Sequence, residues 1–213
     1  SGCGKSTLLR YLIGLEKPQA GRINIAEVGE PHHYEGMPPF GVLFQSGGLF
    51  SSMTLAENLA LPLAAWTPIR GQTMRKLIQA KLDLVGLGSF ADHLPGEISG
   101  GMKKRAGIAR ALMLDANLLF FDEPSAGLDP ISAVELDQLI LTLSQDLGIT
   151  VVIVTHELSS IFLVADDCIL LDKQARGIVA QGDPRKLRDE SRIPFVHNFL
   201  TRSSPNEGAN HGG

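Results

Sequence analysis

Short apolar runs in this chain alternate with longer stretches in which apolar residues recur at helical spacing. The runs at residues 41–44, 118–121 and 149–155 have the length and composition of buried strands. Between them, residues 74–85 carry an apolar stripe that repeats every three or four positions, as on one face of a helix. Strands that alternate with helices predict an α/β fold with a mostly parallel sheet flanked by helices.

The first twenty-five residues predict one helix followed by one strand. Apolar positions recur at helical spacing over residues 8–15, and Gly14 and Pro18 end that pattern. Residues 21–25 then alternate between apolar and polar side chains, which is typical of a strand.

A surface loop is predicted for residues 27–39, which are rich in proline, glycine and histidine. Its two histidines, His32 and His33, are adjacent in the sequence. Adjacent side chains point apart on most backbones, so we expect solvated histidines here and no metal site.

The middle of the chain predicts a helical insertion. Helical spacing with frequent breaks extends over residues 54–114, and the last helix of this segment runs from about Gly101 to Leu114. The predicted architecture is therefore a parallel sheet that carries an inserted helical subdomain.

Two Asp-Pro pairs predict helix starts in the C-terminal half, because aspartate caps a helix and proline suits its first turn. Asp129-Pro130 precedes a helix whose buried face is expected to carry Leu136, Leu139, Ile140, Leu143 and Leu147. Residues 168–171 and 178–180 resemble a strand pair, and Asp183-Pro184 precedes a last helix with a kink expected at Pro194.

Composition agrees with a globular protein of one α/β domain. The 213 residues are 44 % hydrophobic and 20 % charged, and the net charge of −4 gives no reason to expect a nucleic-acid surface. No stretch approaches the roughly 18 uncharged apolar residues of a membrane-spanning helix. Cys3 and Cys168 cannot form a disulfide framework, which favours a reducing compartment. Cys3 is interpreted as a small residue in its loop, with a redox switch as the alternative.

The chain opens on a phosphate-binding sequence, Ser1-Gly2-Cys3-Gly4-Lys5-Ser6-Thr7. It matches the second half of the pattern G-x-x-x-x-G-K-[ST], whose backbone N–H groups surround phosphates at a helix N-terminus. Lys5 is expected to reach the terminal phosphates, and Ser6 offers a hydroxyl to Mg²⁺. The first glycine of the pattern and the strand that normally precedes it are absent, so we expect the sequence to be truncated.

Two acidic residues, Asp122 and Glu123, follow the apolar run at residues 118–121. A buried strand that ends in carboxylates delivers them to the sheet edge where nucleotides bind. Asp122 is predicted to hold Mg²⁺ through water, and Glu123 to orient or deprotonate an attacking water. The alternative is a strand that ends in solvated acids.

A further anion-binding element is predicted at Ser99-Gly100-Gly101, which precedes a helix about twenty residues before the acidic pair. A hydroxyl, free backbone N–H groups and the positive end of the helix dipole all favour a phosphate there.

Together these residues resemble the ATP-binding subunit of ABC transporters, and they follow one another along the chain in the order of that family. Lys5 with Ser6 resembles Walker A, Asp122 with Glu123 resembles Walker B, and Ser99-Gly100-Gly101 resembles the signature motif. Ile98 and Met102 replace the Leu and Gln that commonly flank that motif. The remaining matches are Gln45 as the Q-loop glutamine, residues 125–129 as the D-loop and His156 as the switch histidine.

The resemblance implies a nucleotide-binding domain over residues 1–202, followed by a disordered tail at residues 203–213. It implies that ATP and Mg²⁺ bind between two such domains, most simply in a homodimer, with residues 1–7 of one copy facing Ser99, Gly100 and Gly101 of the other. Glu123, His156 and Gln45 are then the expected catalytic residues. Ser6, Gln45 and Asp122 are the expected metal ligands.

Within this family, the segments at residues 44–63 and 195–200 resemble the Mla/Mce group of lipid-transport ATPases. That resemblance implies an integral membrane permease, and accessory lipid-binding and small regulatory subunits, with the ATPase peripheral on the cytoplasmic face of the inner membrane. Leu49, Phe50 and Met53 are expected to line a groove for a permease helix, unless they pack inside the helical subdomain.

Three alternatives stay open at this point. The chain resembles ABC ATPases for amino acids, peptides or lipoproteins in the same motifs. A soluble ABC protein of DNA repair or translation is disfavoured by the acidic balance and the single nucleotide-binding unit. Thirdly, a chain that lacks the strands beside residues 1–7 is expected to bind ATP weakly and to aggregate.

Overall fold

The computed structural model describes residues 3–26 and 28–203, which fold into two compact units. One unit is Ser6–Thr155, and the other contains the described residues of Ser1–Lys5 and His156–Gly213. Ser1 and Gly2 of the predicted phosphate loop lie outside the described residues, and so does the predicted tail apart from Ser203.

The described residues form eight α-helices, five strands and three single turns of 3₁₀ helix. The helices are α1 (Lys5–Leu12), α2 (Leu55–Trp66), α3 (Gly71–Leu84), α4 (Gly100–Ala111), α5 (Pro130–Gln145), α6 (Leu158–Val164), α7 (Pro184–Glu190) and α8 (Pro194–Thr201). The strands are β1 (Gly41–Leu43), β2 (Leu118–Asp122), β3 (Thr150–Val154), β4 (Cys168–Asp172) and β5 (Gly177–Gly182). The 3₁₀ turns are Pro31–His33, Gly88–Phe90 and Pro95–Glu97.

A parallel sheet with the order β1-β2-β3 forms the centre of the first unit. Val42 is opposite Phe120, and Phe120 is opposite Val152. Phe120 packs with Leu9 and Ile13 of the segment that includes α1, and its ring meets Phe40 edge-on at 5.3 Å. The predicted parallel α/β sheet is confirmed, and all three strands end at the same edge.

Residues 54–114 contain α2, α3 and α4, as the helical spacing predicted. Thr54 begins α2 with a capping box, because its hydroxyl accepts from the Glu57 N–H while the Glu57 carboxylate accepts from the Thr54 N–H. The apolar side chains that these helices bury completely or nearly so include Leu55, Leu59, Leu63, Leu82 and Ile108. Burial of this stripe stabilises the three helices against each other.

The second unit contains the antiparallel pair β4-β5 and helices α6, α7 and α8. Its core consists of Leu158, Leu170, Val196 and Leu200. Asp183 caps α7 as predicted, since its carboxylate accepts from the N–H groups of Arg185 and Lys186. Among the helices at residues 3–26 and 28–203, none is long and apolar enough to span a bilayer.

Three local predictions were wrong. Residues 21–25 form no strand among the described residues and take part only in the bridge Ile25–Gly29, because this segment turns back on itself within four residues. Leu147 lies beyond the end of α5 and is 50 % exposed, so it is not on the buried helix face. Pro194 begins a separate helix instead of bending one, since proline suits a first turn and breaks a helix interior.

Close packing of α4 on β1 depends on Gly107. A Cβ at this position would stand 2.5 Å from Leu43 Cδ1 and 2.7 Å from the Gly47 carbonyl oxygen. We therefore expect Gly107→Ala to lower the free energy of unfolding by about 1–3 kcal/mol, the usual cost of overpacking. Urea unfolding measures this, with Gly96→Ala as the control, because a Cβ at Gly96 meets no atom within 4 Å. Equal stability of the two variants would contradict the packing argument.

Candidate functional site

The phosphate loop leads directly into α1, which begins at Lys5. Gly4 has a φ of 95°, a left-handed conformation that glycine adopts without steric cost. Cys3 lies beside Lys5, whose Nζ donates to its Sγ at 3.9 Å. The loop therefore presents a helix N-terminus and a cation where the sequence predicted a phosphate site. Thr7, on the first turn of α1, is exposed.

Two of the predicted metal ligands meet in the structure. Ser6 Oγ donates to Asp122 Oδ1 at 3.2 Å, although the two residues are 116 positions apart in the chain. One is in the first turn of α1 and the other is the last residue of β2. Hydroxyl and carboxylate oxygens are the donors that Mg²⁺ prefers, so these side chains fit that ion.

Gln45, the third predicted metal ligand, follows β1 by two residues and is exposed. Because β1 and β2 are parallel, Gln45, two residues after β1, and Asp122, the last residue of β2, are both at the same edge of the sheet. The contact that the structure shows for Gln45 is through its backbone: its carbonyl accepts a hydrogen bond from Lys104. Its role toward the metal stays a prediction.

Glu123 adopts an unusual backbone conformation directly after β2. Its φ is 47°, in the left-handed region that costs a non-glycine residue about 1–3 kcal/mol. The surrounding structure fixes this conformation, since the Glu123 N–H donates to the Val154 carbonyl at 2.8 Å. Strain that the fold maintains in this way is concentrated at functional sites, which supports the predicted role of this carboxylate.

Lys104 connects the two segments in which these residues lie. It is 6 % exposed on α4, and its Nζ donates to the Gln45 carbonyl at 2.5 Å and to the Glu123 carbonyl at 3.2 Å. Burial lowers the pKa of Lys104, while the negative charges of Asp122 and Glu123 act in the opposite direction. One buried cation thus fixes the backbone of both the Q-loop and the acidic pair.

Arg110, later on α4, holds the Q-loop at a second point. Its Nη1 donates to the carbonyl oxygen of Gly48, and burial lowers the pKa of this guanidinium. Helix α4 therefore contacts the Q-loop backbone through two cationic side chains. The helix that begins with the signature motif is thereby connected to the Q-loop at two points.

Ser99 is the N-cap of α4, where its Oγ accepts from the Met102 N–H at 3.2 Å. The hydroxyl hydrogen stays available as a donor, since a serine oxygen can accept one bond and donate another. Ser99 and Gly100 are exposed, and Gly101 is buried. The predicted anion-binding N-terminus of α4 is therefore accessible to solvent at Ser99 and Gly100.

The D-loop connects Glu123 to α5 through a series of tight turns. The Ala126 N–H donates to the Glu123 carbonyl at 3.2 Å, and Asp129 caps α5 by accepting from Ile131 and Ser132. A hydrogen bond from the Ser132 side chain is the largest cause of a lowered pKa at Asp129. The Ser125 Oγ is buried and has no hydrogen-bond partner among the described residues.

His156 belongs to the second unit, where it is exposed and its Nε2 lies 3.7 Å from Glu157 Oε1. It follows β3 by two residues in the sequence. Its predicted role as the switch histidine stays a prediction.

A protein-family model described as ABC transporter matches residues 1–126 of this chain. The chain belongs to the ABC transporter family. The ATP-binding protein MlaF of the intermembrane phospholipid transport system of Escherichia coli K12 is 39 % identical over 206 residues, which are 94 % of this chain and 75 % of MlaF. The probable ribonucleotide transport ATP-binding protein Mkl of Mycobacterium leprae is 43 % identical over 205 residues, which are 94 % of this chain and 58 % of Mkl. The chain thus spans slightly more than half the length of Mkl.

Solved structures of ABC proteins have the same fold. The dimeric ATP-binding cassette MJ0796 bound to ADP and Pi superimposes with a TM-score of 0.73 and 28 % identity, over 85 % of this chain and 81 % of that one. CbiO1 of Clostridium perfringens, part of the transporter complex cbiONQ, gives a TM-score of 0.77 and 29 % identity over 95 % and 82 %. The predicted fold class and family are confirmed.

Sequence reasoning missed two residues that shape this site, Lys104 and Asn58. Both are polar side chains at positions that the helical pattern buries, with exposures of 6 % and 0 %. A buried polar residue needs partners, and both side chains bond to the backbone of neighbouring loops. The sequence signal that could have identified both residues is a polar side chain at a buried position of α2 or α4.

Proposed function

We propose that this chain binds and hydrolyses ATP as the nucleotide-binding subunit of an ABC transporter that moves phospholipid or another lipid through a separate permease. The observation that carries the proposal is the contact between Ser6 and Asp122 beside the strained Glu123. It brings the serine of the phosphate loop to the carboxylate at the end of β2, where a nucleotide and its metal are expected.

In this proposal the residues divide the chemistry between binding and catalysis. Lys5 and the N-terminus of α1 attract the phosphates, and a Mg²⁺ held by Ser6 and Asp122 would neutralise phosphate charge. Glu123 acts as the base that orients and deprotonates the attacking water. Gln45 and His156 position groups around the terminal phosphate.

The site is completed by a second copy of the chain. Ser99 and Gly100 are exposed at the N-terminus of α4, where free N–H groups and the helix dipole favour an anion. A head-to-tail homodimer places this N-terminus of one copy on the ATP bound by the other. The structure of the ATP-binding cassette MJ0796 bound to ADP and Pi, to which this chain is similar, is dimeric, which supports an assembly of two copies.

Replacing Lys5 by alanine is expected to weaken ATP binding by about 10- to 100-fold, because a hydrogen bond to a charged group contributes about 1.5–3 kcal/mol. Equilibrium titration with ATP measures the change. Lys17→Ala is the matched control, since Lys17 is an exposed lysine outside the site. Unchanged affinity in Lys5→Ala would remove Lys5 from the phosphate site.

Lipid is the proposed substrate because MlaF is named for phospholipid transport and the match to this chain covers 75 % of the MlaF sequence. The name of Mkl makes ribonucleotides the second candidate. The proposed complex includes an integral membrane permease and accessory lipid-binding and small regulatory subunits. In it the ATPase lies on the cytoplasmic face of the membrane.

A surface next to the Q-loop fits the permease contact. Buried Asn58 holds the backbone of Phe50 in place: the Phe50 N–H donates to Asn58 Oδ1 at 2.7 Å, and Asn58 Nδ2 donates to the Phe50 carbonyl at 3.1 Å. The Phe50 residue is nevertheless 57 % exposed. A fixed backbone that presents an exposed aromatic ring is suited to receive a short helix.

We expect Phe50→Asp to reduce association with the permease at least tenfold, because it removes a central apolar contact worth more than about 1.4 kcal/mol. Co-purification and titration of the detergent-solubilised permease measure it. Ile178→Asp serves as the control, since Ile178 is 59 % exposed on β5. Equal loss in both variants, or none in Phe50→Asp, would argue against this surface.

The proposed function is tested by ATP hydrolysis of the reconstituted complex in vesicles. Hydrolysis coupled to movement of fluorescent phospholipid supports it. Coupling to ribonucleotide uptake instead would replace lipid by the second candidate while leaving the ATPase intact. Lipid movement without ATP consumption would overturn the proposal.

A further inference from the structure

We propose that Glu30, His32 and His33 form a binding site for Zn²⁺ or a similar divalent transition metal. Each of the three side chains offers one ligand atom, and these atoms all lie within 4.8 Å of one another. The rings of the two histidines are 4.0 Å apart, so the expectation that they point apart was wrong. No other group of three or more His, Cys, Asp or Glu side chains in residues 3–26 and 28–203 meets this criterion.

The distances between the donor atoms are close to those of a metal centre. Glu30 Oε2 is 3.1 Å from His33 Nδ1 and 3.7 Å from His32 Nε2. Two ligands bound to tetrahedral Zn²⁺ at about 2.0–2.1 Å lie about 3.3–3.4 Å from each other. Small rotations of side chains bring the three atoms onto one ion.

The local backbone explains why adjacent histidines converge. Pro31–His33 is a turn of 3₁₀ helix, in which the His33 N–H donates to the Glu30 carbonyl at 3.0 Å. Pro31 is buried, and its carbonyl oxygen lies 2.6 Å from where a Cβ of Gly14 would stand. The turn is therefore anchored on the segment after α1, which fixes the backbone that carries both histidines.

Arg22 orients the carboxylate. Its Nε lies 3.0 Å from Glu30 Oε1, while the other oxygen, Oε2, faces both imidazoles. Partners of this kind fix metal-binding carboxylates in one orientation. The His32 side chain is 13 % exposed and that of His33 is 63 % exposed. The site therefore has one largely buried ligand, and its His33 side is open to solvent, so that a metal ion and water can enter.

The donor set selects the class of metal. Two imidazole nitrogens and one carboxylate suit Zn²⁺, and also Ni²⁺ or Cu²⁺, whereas Mg²⁺ prefers oxygen ligands only. The site is thereby distinct in chemistry from Ser6 and Asp122, and it does not depend on the proposed function. Three protein ligands leave a fourth position for water.

The test is calorimetric titration of the untagged, nucleotide-free protein with Zn²⁺ alone. We expect one ion per chain at this site and a loss of affinity of at least about tenfold in His33→Asn and in His32→Asn, since even groups that only orient a ligand contribute about 10- to 100-fold. His197→Asn, which removes an exposed histidine of α8, should bind as the parent does.

Cobalt gives an independent readout. Co²⁺ in the parent protein should produce the visible absorption of a low-coordinate site, and this absorption should be absent in His33→Asn. His33 is largely exposed, so its substitution leaves the fold intact, which circular dichroism checks. Zn²⁺ affinity that is equal in the parent and both variants, or lost equally in His197→Asn, would overturn the proposal.

Discussion

Replacing Glu123 by glutamine is expected to abolish ATP turnover and to leave ATP binding intact. Glutamine has the same shape but cannot accept a proton, and the loss of a general base typically costs 10²- to 10⁴-fold in rate. The backbone conformation with φ of 47° is determined by residues around it, so the substitution should not move the loop. Steady-state phosphate release and equilibrium nucleotide binding measure the two effects separately. Because the proposed dimer forms around bound ATP, a variant that does not hydrolyse ATP should also accumulate as an ATP-bound dimer.

A matched variant distinguishes the catalytic role of the Glu123 carboxylate from the effect of removing any one negative charge from the protein. Glu135→Gln removes one negative charge from α5, where Glu135 Oε2 lies 3.8 Å from Arg105 Nη2. That variant should hydrolyse ATP at the parent rate. Turnover at the parent rate in Glu123→Gln would show that another group activates the water.

Lys104→Met is expected to lower turnover at saturating ATP by at least about tenfold and to destabilise the first unit. Methionine fills the volume but cannot donate, so the Gln45 and Glu123 carbonyls both lose their buried partner. An unsatisfied buried acceptor costs about 1–3 kcal/mol, part of which is offset because a buried ammonium no longer has to be desolvated. The backbone of Glu123 then loses one of the contacts that fix it, and misplacement of a catalytic group by 1 Å costs about 10²-fold in rate.

Measuring the ATP concentration at half-maximal rate and the maximal rate separately distinguishes a positioning role of Lys104 from a loss of stability. We expect the ATP concentration at half-maximal rate to change little while the maximal rate falls. Lys103→Met, one position earlier on α4, should leave both unchanged. A fall in activity that disappears at a temperature where both variants are fully folded would reduce Lys104 to a purely structural residue.

The sequence predicted those parts of the site whose position follows from strand order. Asp122 and Gln45 each follow an apolar run, and parallel pairing alone brings the ends of those runs to one edge. Helix caps depend on hydrogen bonds within three or four residues, so the two Asp-Pro sequences were sufficient to predict that Asp129 and Asp183 cap helices.

Features that depend on contacts between distant segments were not visible in the pattern. Lys104 lies on the buried stripe of α4, but its two backbone partners come from loops distant in the sequence, which meet it only because α4 packs on the loop after β1. The turn that carries the histidine pair is anchored because Pro31 packs against Gly14, a contact that neither segment shows in its own sequence. Residues 21–25 have an alternating sequence, but they turn back within four residues, so alternation alone was insufficient.

The shared ATP site is tested by the rate of Mg²⁺-dependent ATP hydrolysis per chain as a function of protein concentration. We expect a specific activity that rises with concentration and is lost in Glu123→Gln, since in the proposed dimer each site is formed by two copies. A specific activity that is constant over the whole range, or that persists in Glu123→Gln, would contradict it.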